Sequence, residues 1–238
     1  MSLLDRAAEN TFNTAANDTL DRYGITLLTG TDFEKFRQYV ALGRPDHTIG
    51  APFDARVHDM APGKACWFVG LDQNGDVMFL HAIRVLPTGD MTVGSYFQQY
   101  YRGFPPPDMD IDLENSEYRP GPGAIHMRGR VVYSGETWIG GETGRYRGTG
   151  LSKLLGQFVL MTAVKELSAD YVVGLIAAPS AYKGLCLRLG YMHAEPKALR
   201  WVVRGQPEAL EGVMVYMSAA DIRYMLDLPY EDFATLTA

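Results

Sequence analysis

The sequence predicts an α/β fold in which helices flank a central sheet. Three observations support this: β-rich and helical segments alternate in the C-terminal half, one short run is apolar throughout, and 47% of the residues are hydrophobic. A run that is too short for a helix and too apolar for a surface strand is typical of a strand buried on both faces. The 238 residues are expected to form a single domain, numbered 1–238.

The composition argues against several classes of protein. A net charge of -6 and a pI of about 5.4 do not suit a general nucleic-acid binder, which requires clustered Lys and Arg. The sequence lacks a signal peptide and any apolar stretch of about 20 residues, so we expect a cytoplasmic protein with no membrane span. Cys66 and Cys186 are far apart and the histidines are not closely spaced, so neither a disulfide framework nor a metal site is expected.

The first elements are an N-terminal arm and a helix. The arm, about 1–30, is polar and is predicted to be a surface helix or a loosely attached segment. Thr31 followed by Glu34 has the form of a helix start, so we predict a helix over about 32–42 with Thr31 as its cap.

A hairpin and a long insertion follow. Two apolar runs, 65–71 and 76–85, are separated by a segment containing Asn74-Gly75, and this pattern predicts a β-hairpin. Residues 86–128 are rich in proline and acidic side chains and show no clear period. They are predicted to form a functional or partly ordered insertion, with aromatic side chains as a candidate wall for the acceptor or the acyl chain and core packing as the alternative.

The C-terminal half alternates strands and helices. In chain order it is predicted to contain a strand, a Gly-rich loop, a helix, a buried strand, a second helix and two strands, over about 129–139, 145–150, 151–168, 171–178, 179–189, 199–203 and 213–217. Apolar residues recur at three- and four-residue spacing in the first of these helices. Pro179 suits the first turn of the second helix, where its missing N–H costs nothing, and Gly190 ends that helix.

The Gly-rich loop is the candidate ligand site. A strand that leads through such a loop into a helix exposes backbone N–H groups at the positive end of the helix dipole, which suits a pyrophosphate. A turn that only caps the helix is the alternative interpretation. The loop lacks the Gly-Lys-Ser/Thr of Walker A, and its position late in the chain does not fit the Rossmann fingerprint. The candidate residues are Arg145, Tyr146, Arg147, Gly148, Thr149, Gly150, Leu151 and Ser152.

Two segments resemble motifs of the GNAT superfamily of acyl-CoA-dependent N-acyltransferases. Arg145-x-x-Gly148-x-Gly150 is similar to the family motif Gln/Arg-x-x-Gly-x-Gly/Ala. Residues 184–191 resemble the family's helix that ends in Leu-Gly-Phe/Tyr. The interval between the two motifs also matches, and the resemblance covers about 65–217.

The resemblance implies a particular fold and co-substrate. The sheet would be mixed and V-splayed, with acetyl-CoA or another acyl-CoA lying where the fourth and fifth strands part and its pyrophosphate on the loop. Backbone groups near Trp138, Ile139 and Gly140 would hold the pantetheine arm. For the side chains of Trp138 and Ile139, core packing is an equally good interpretation.

Acyl transfer to an amine requires a base for the ammonium and a proton for the leaving thiolate. The resemblance implies direct attack by the amine, with a base on or beside the strand before the loop. Glu136 shares a face with Ser134 and Trp138 if the strand is regular, so Glu136 is the candidate base and an exposed strand carboxylate is the alternative. Glu142 lies closer to the loop and is expected to be solvated.

The sequence departs from the family at the position of the proton donor. Many members of the family carry a Tyr at the position of Cys186. Tyr182 lies one helical turn earlier on about the same face and is the candidate donor, with water as the alternative. Cys186 as a nucleophile is a further hypothesis, although a lone helical Cys is more often a small buried residue.

The acceptor is expected to be a small-molecule or peptide amine. Two alternatives stay open: a transferase of the same fold that uses a long acyl chain on an acyl-carrier protein, and an inactive module that senses acyl-CoA. The resemblance also makes a homodimer possible, because dimers are common in the family.

Overall fold

The computed structural model describes residues 3–140 and 149–228, with side chains described from Phe12 onward. The helices of this part are α1 Leu3–Arg22, α2 Phe33–Gly43, α3 Val93–Tyr100, α4 Leu151–Leu167, α5 Ala178–Tyr182, α6 Leu185–Arg188 and α7 Ala219–Asp227. The strands are β1 Thr26–Gly30, β2 Ala65–Leu71, β3 Val77–Val85, β4 Ile111–Tyr118, β5 Val131–Ile139, β6 Tyr171–Ala177, β7 His193–Val203 and β8 Leu210–Ser218. Short 3-10 helices occupy Ala51–Phe53 and Tyr101–Gly103.

The strands form one mixed sheet in the order β1-β2-β3-β5-β6-β8-β7-β4. The pair β5 and β6 is parallel, because α4 connects them as a crossover, and the neighbouring pairs are antiparallel. The predicted α/β class and the predicted mixed sheet flanked by helices are confirmed. The hairpin β2–β3, the helix α4 and the buried strand β6 also lie where the sequence predicted them.

Side chains that alternate along the strands build one hydrophobic core on each face of the sheet. We call these the α4 face and the α2 face. On β2, Phe68 packs into the core of the α4 face, together with α1, α4 and α7. Its neighbour Trp67 packs into the core of the α2 face, together with α2 and α3. The sheet is therefore covered by helices on both sides.

The arm and the insertion are ordered parts of the sheet. Residues 26–30 form β1, which pairs with β2 at one edge. The acidic part of the insertion forms β4, which pairs with β7 at the other edge. Helix α1 buries Phe12, Ala16 and Leu20, so it is packed on the core and is not loosely attached.

Two helix boundaries differ from the prediction. The cap of α2 is Asp32 rather than Thr31, because the Asp32 carboxylate accepts hydrogen bonds from the N–H groups of Glu34 and Lys35, at 3.0 and 3.2 Å. The single helix predicted over 179–189 is two short helices, α5 and α6. Gly184 interrupts them with a left-handed φ of 83°.

Candidate functional site

The sheet forks between its two parallel strands. β5 and β6 pair only from Val131 opposite Tyr171 to Ser134 opposite Gly174. Beyond that point β5 continues alongside β3 as far as Ile139, while β6 continues alongside β8. The two halves of the sheet therefore diverge and leave strand edges facing a gap, as the resemblance implied, but the strands that part are the fifth and sixth in chain order rather than the fourth and fifth.

A cavity of about 950 Å³ occupies this gap. Leu189 and Tyr191, which belong to the core of the α4 face, line it on one side. Phe53, Phe104 and Tyr133, which belong to the core of the α2 face, line it on the other. The cavity therefore reaches both faces of the sheet, and two ligands can approach from opposite sides.

A β-bulge at Glu136 sets the walls of the gap. Glu136 has a left-handed φ of 53°, and the register of β5 against β3 shifts beside it. Ser134 contacts His81 and Tyr191 on the α4 face, whereas Glu136 contacts loop residues on the α2 face. The prediction that Glu136 shares a face with Ser134 is therefore wrong, although Glu136 does line the cavity.

The Glu136 carboxylate is held by two donors and is 7% exposed. The N–H of Gly50 donates to Oε1 at 2.7 Å, and Nε2 of His47 donates to Oε2 at 2.9 Å. These bonds fix the direction of the carboxylate while each oxygen keeps a further lone pair. A buried carboxylate that is fixed in this way is suited to accept a proton from a neighbouring ligand.

Asp108 anchors the loop that carries His47. Its Oδ2 accepts from the N–H of Thr48 at 3.1 Å and lies 3.5 Å from Nδ1 of His47. The hydrogen bond with Thr48 lowers the pKa of Asp108, which keeps the carboxylate charged. Asp108 and Glu136 therefore hold the His47 ring between them.

A second polar chain lies on the α4 face of the fork. Tyr191 donates its hydroxyl to Ser134 Oγ at 2.9 Å, and Ser134 lies 2.8 Å from Nε2 of His81. Nδ1 of His81 lies 2.9 Å from the hydroxyl of Thr137. Burial lowers the pKa of His81 to about 3 and raises the pKa of Tyr191 to about 12, so both are neutral near pH 7.

The sequence did not predict the hydrogen-bonding partners of Glu136 and Ser134. His47 and Glu136 are separated by 89 positions and belong to no shared motif, so only the fold brings them together. Tyr191 was visible as the aromatic residue of the Leu-Gly-Tyr segment, but its bond to Ser134 requires the β5–β6 register.

Part of the predicted pyrophosphate loop lies within the described residues. Gly150 precedes α4 with a φ of 73° and no side-chain cap, and the first turn of α4 holds no acidic residue. Thr149 Oγ1 accepts from the N–H of Leu151 at 3.3 Å. Such a helix start favours an anion. Glu142, Arg145, Tyr146, Arg147 and Gly148 lie outside the described residues.

The backbone predicted to hold the pantetheine arm has one edge turned towards the gap. The N–H of Gly140 donates to the carbonyl of Met78 at 2.8 Å, so the Gly140 N–H faces β3. Because successive backbone groups of a strand alternate in direction, the N–H and C=O of Ile139 face the gap. The Trp138 side chain packs against the core of the α2 face and that of Ile139 against the core of the α4 face.

The two candidates of the second helical region, Tyr182 and Cys186, lie in different surroundings. Tyr182 ends α5, lines the cavity and is 67% exposed, so its hydroxyl lies at the mouth. Cys186 lies on α6 and is buried, and burial raises the pKa of its thiol. The break at Gly184 separates the two residues, so the prediction that they share one helix face is wrong. A buried neutral thiol has the properties of a packing residue.

Two further kinds of feature are absent from the described part of the chain. Residues 3–140 and 149–228 contain no group of three His, Cys, Asp or Glu side chains arranged to hold a metal ion. None of the helices described for these residues is both long and apolar enough to cross a membrane.

The solved structures to which this chain is similar include several acetyltransferases. Arabidopsis thaliana NAA60 in complex with acetyl-CoA matches over 82% of this chain and 99% of its own, with 13% identity and a TM-score of 0.44. An N-acetyltransferase from Staphylococcus aureus matches over 82% and 97%, with 10% identity and a TM-score of 0.42. Mutant forms of the spermidine/spermine N-acetyltransferase SpeG from Vibrio cholerae match over 85% and 98%, with 10% identity and a TM-score of 0.46.

No protein-family model matches the sequence, and no curated protein matches it either. The identities and scores of the solved structures are low, so these similarities by themselves assign neither an activity nor a site residue to this chain.

Proposed function

We propose that the protein is a GNAT-type N-acyltransferase that moves an acetyl or other acyl group from acyl-CoA to an amine. The observation that carries this proposal is the fork between β5 and β6, where a strand edge faces a cavity that reaches both faces of the sheet. A cavity with two sides lets a donor and an acceptor meet at its centre, which a direct transfer requires.

The donor is proposed to enter from the α4 face. Its pyrophosphate lies at the start of α4, against Gly148, Gly150 and Ser152, with Arg145 and Arg147 supplying positive charge. The pantetheine amides pair with the N–H and C=O of Ile139, whose direction towards the gap supports this placement. The thioester then lies beside Glu136 at the centre of the fork.

The acceptor is proposed to enter from the α2 face. Glu136 takes a proton from the ammonium, and the amine nitrogen attacks the thioester carbon, so that a C–N bond forms and the C–S bond breaks. The acylated nitrogen then releases its second proton to solvent as the amide forms. Tyr182 is proposed to return a proton to the leaving thiolate. Tyr182 lines the same cavity, which supports this role, and its exposed hydroxyl can recover a proton from solvent.

The first experiment measures donor binding. Calorimetry with acetyl-CoA, longer acyl-CoAs and free CoA compares the wild type with the double variant Gly148→Asp, Gly150→Asp. We expect binding by the wild type and loss of most of it in the variant, because two carboxylates would repel the pyrophosphate from the helix start. A preference for one acyl length would identify the donor.

The matched control is Gly75→Asp. Gly75 also has a left-handed φ, 85°, and an added Cβ there meets nothing within 4 Å. Gly75 lies in the turn between β2 and β3 and does not line the cavity, so this control carries similar backbone strain and an added charge away from the site. Equal loss of CoA binding in both variants, or no binding by the wild type, would refute the proposed donor site. Binding without release of CoA thiol for any amine tested would identify a sensor instead of an enzyme.

A further inference from the structure

Resting on the proposed function, we infer the class of acceptor: a primary amine attached to an apolar, preferably aromatic, body and carrying no carboxylate. The ammonium would lie against Glu136, and the body would lie against the wall formed by Phe53, Tyr133 and Phe104. We call these three side chains the aromatic wall.

The aromatic wall is a cluster of three largely buried side chains whose edges line the α2 face of the cavity. The rings of Phe53 and Tyr133 stack at 5.6 Å with an angle of 26°, and Phe104 meets Tyr133 edge-on at 4.9 Å. Pro105–Pro107 extend the same side of the cavity. Aromatic rings prefer to pack against other flat apolar groups, so this surface favours an aromatic body over a flexible polar chain.

Glu136 lies at the end of this wall. Its carboxylate is close enough to Tyr133 to contribute to the raised pKa of that phenol, for which burial is the larger cause. Both of its fixed donors, Gly50 and His47, approach from the protein side. A ligand ammonium on the cavity side would complete the hydrogen bonding of a mostly buried carboxylate.

The charges that line the cavity oppose a negative group on the ligand. In the described part of the chain, the lining carboxylates are Glu136, Glu208 and Glu211, and the lining side chains that can carry a positive charge are Arg44 and His47. His47 already contacts Glu136 and faces Asp108. An amino acid would bring its own carboxylate into this field, whereas the corresponding simple amine would not.

The test is calorimetry on the full chain with 2-phenylethylamine, 2-phenylethanol and phenylalanine, with and without free CoA. The three ligands share one ring and differ in their charge. We expect 2-phenylethylamine to bind at least about 10-fold more tightly than 2-phenylethanol. This difference corresponds to one hydrogen bond to a charged group. Phenylalanine is expected to bind more weakly than 2-phenylethylamine. These comparisons use the wild type and need no variant to fold.

Two variants locate the effect. Glu136→Gln is expected to remove the preference for the amine over the alcohol, whereas Glu117→Gln, at an exposed carboxylate of β4 that does not line the cavity, should keep it. Phe104→Leu is expected to weaken both phenyl ligands about 3- to 10-fold and to leave butylamine unchanged.

The inference is wrong if the alcohol binds as tightly as the amine, or if phenylalanine or spermidine binds more tightly than 2-phenylethylamine. It is also wrong if affinity grows with acyl-CoA chain length and Phe104→Leu removes that growth, because the wall would then hold the acyl chain. Loss of CoA binding with amine binding retained would refute the donor proposal alone, since the titrations without CoA read the amine site directly.

Discussion

Burial sets the protonation state of His81, a residue beside the fork. Its imidazole is 3% exposed, and its two nitrogens face the hydroxyls of Ser134 and Thr137. Because Tyr191 donates to Ser134, the hydrogen of Ser134 is available for Nε2 of His81, and Nδ1–H of His81 can donate to Thr137. This arrangement satisfies both nitrogens of a neutral ring, and burial disfavours a second ring proton.

The pH dependence of stability follows from this neutral ring. The unfolded chain protonates His81 below its ordinary pKa of 6.5, but the folded chain does so only near a pKa of about 3. The free energy of unfolding therefore falls as the pH is lowered from about 6.5 towards 3, by up to about 1.4 kcal/mol per pH unit. Urea unfolding of wild type and His81→Gln between about pH 5 and 7 should show a flatter profile for the variant. The same flattening in His126→Gln, at an exposed histidine, would contradict this assignment.

The limits of sequence prediction are clear at Glu136. The sequence placed this carboxylate beside the gap, because a strand directly before a Gly-rich loop must end there. It could not show the bulge, since Gly135-Glu136 carries no obligatory bulge signal and the register depends on β3. Nor could it show His47, whose contact with Glu136 depends on where the loop after α2 crosses the sheet.

At the scale of elements, helices with a strong apolar period were predictable and charged edge strands were not. The repeat of apolar residues in α4 defined its limits closely. β4 contains Glu114 and Glu117 and pairs on only one side, so its acidic sequence has the character of a loop. The break between α5 and α6 was hidden because Gly184 lies within a run that otherwise favours a helix.

The contact between α4 and α6 depends on Gly156. A Cβ at Gly156 would lie 2.3 Å from the carbonyl oxygen of Leu189, a backbone atom that cannot rotate away. Helix propensity alone would make Gly156→Ala stabilising by up to about 1 kcal/mol. We instead expect a loss of about 1–3 kcal/mol, as in other overpacked sites. Thermal or urea unfolding gives the sign directly.

The control for this prediction is Gly103→Ala. An added Cβ at Gly103 meets nothing within 4 Å. Its effect should stay within about 0.5 kcal/mol. Stabilisation by Gly156→Ala would show that α6 shifts freely, and the packing described for this helix pair would be wrong.

At the scale of the molecule, the fork predicts where a bound donor protects the backbone. The N–H of Ile139 faces the gap, so it should exchange with solvent readily in the free protein. Acetyl-CoA at 100 times its dissociation constant should slow this exchange by up to about 100-fold, if the amide opens only in the free protein. Hydrogen exchange read by NMR tests this at one residue.

The turn at Asn74 and Gly75 serves as the reference for that measurement. It joins β2 to β3, and its residues do not line the cavity. Its exchange should not change when the donor binds. An unchanged rate at Ile139 in the presence of bound acetyl-CoA would place the pantetheine arm elsewhere.

The position of β4 also affects how the chain can assemble. β4 precedes β5 in the sequence, yet it pairs with β7 in the half of the sheet that contains β6 and β8. The half-sheet beyond the fork is therefore completed only when two distant segments of the chain have met. Such long-range contacts raise the contact order and slow folding, because loop-closure entropy must be lost before the pairing is gained. We therefore expect that neither side of the fork folds independently, and that the gap between them forms as the whole chain reaches its native topology.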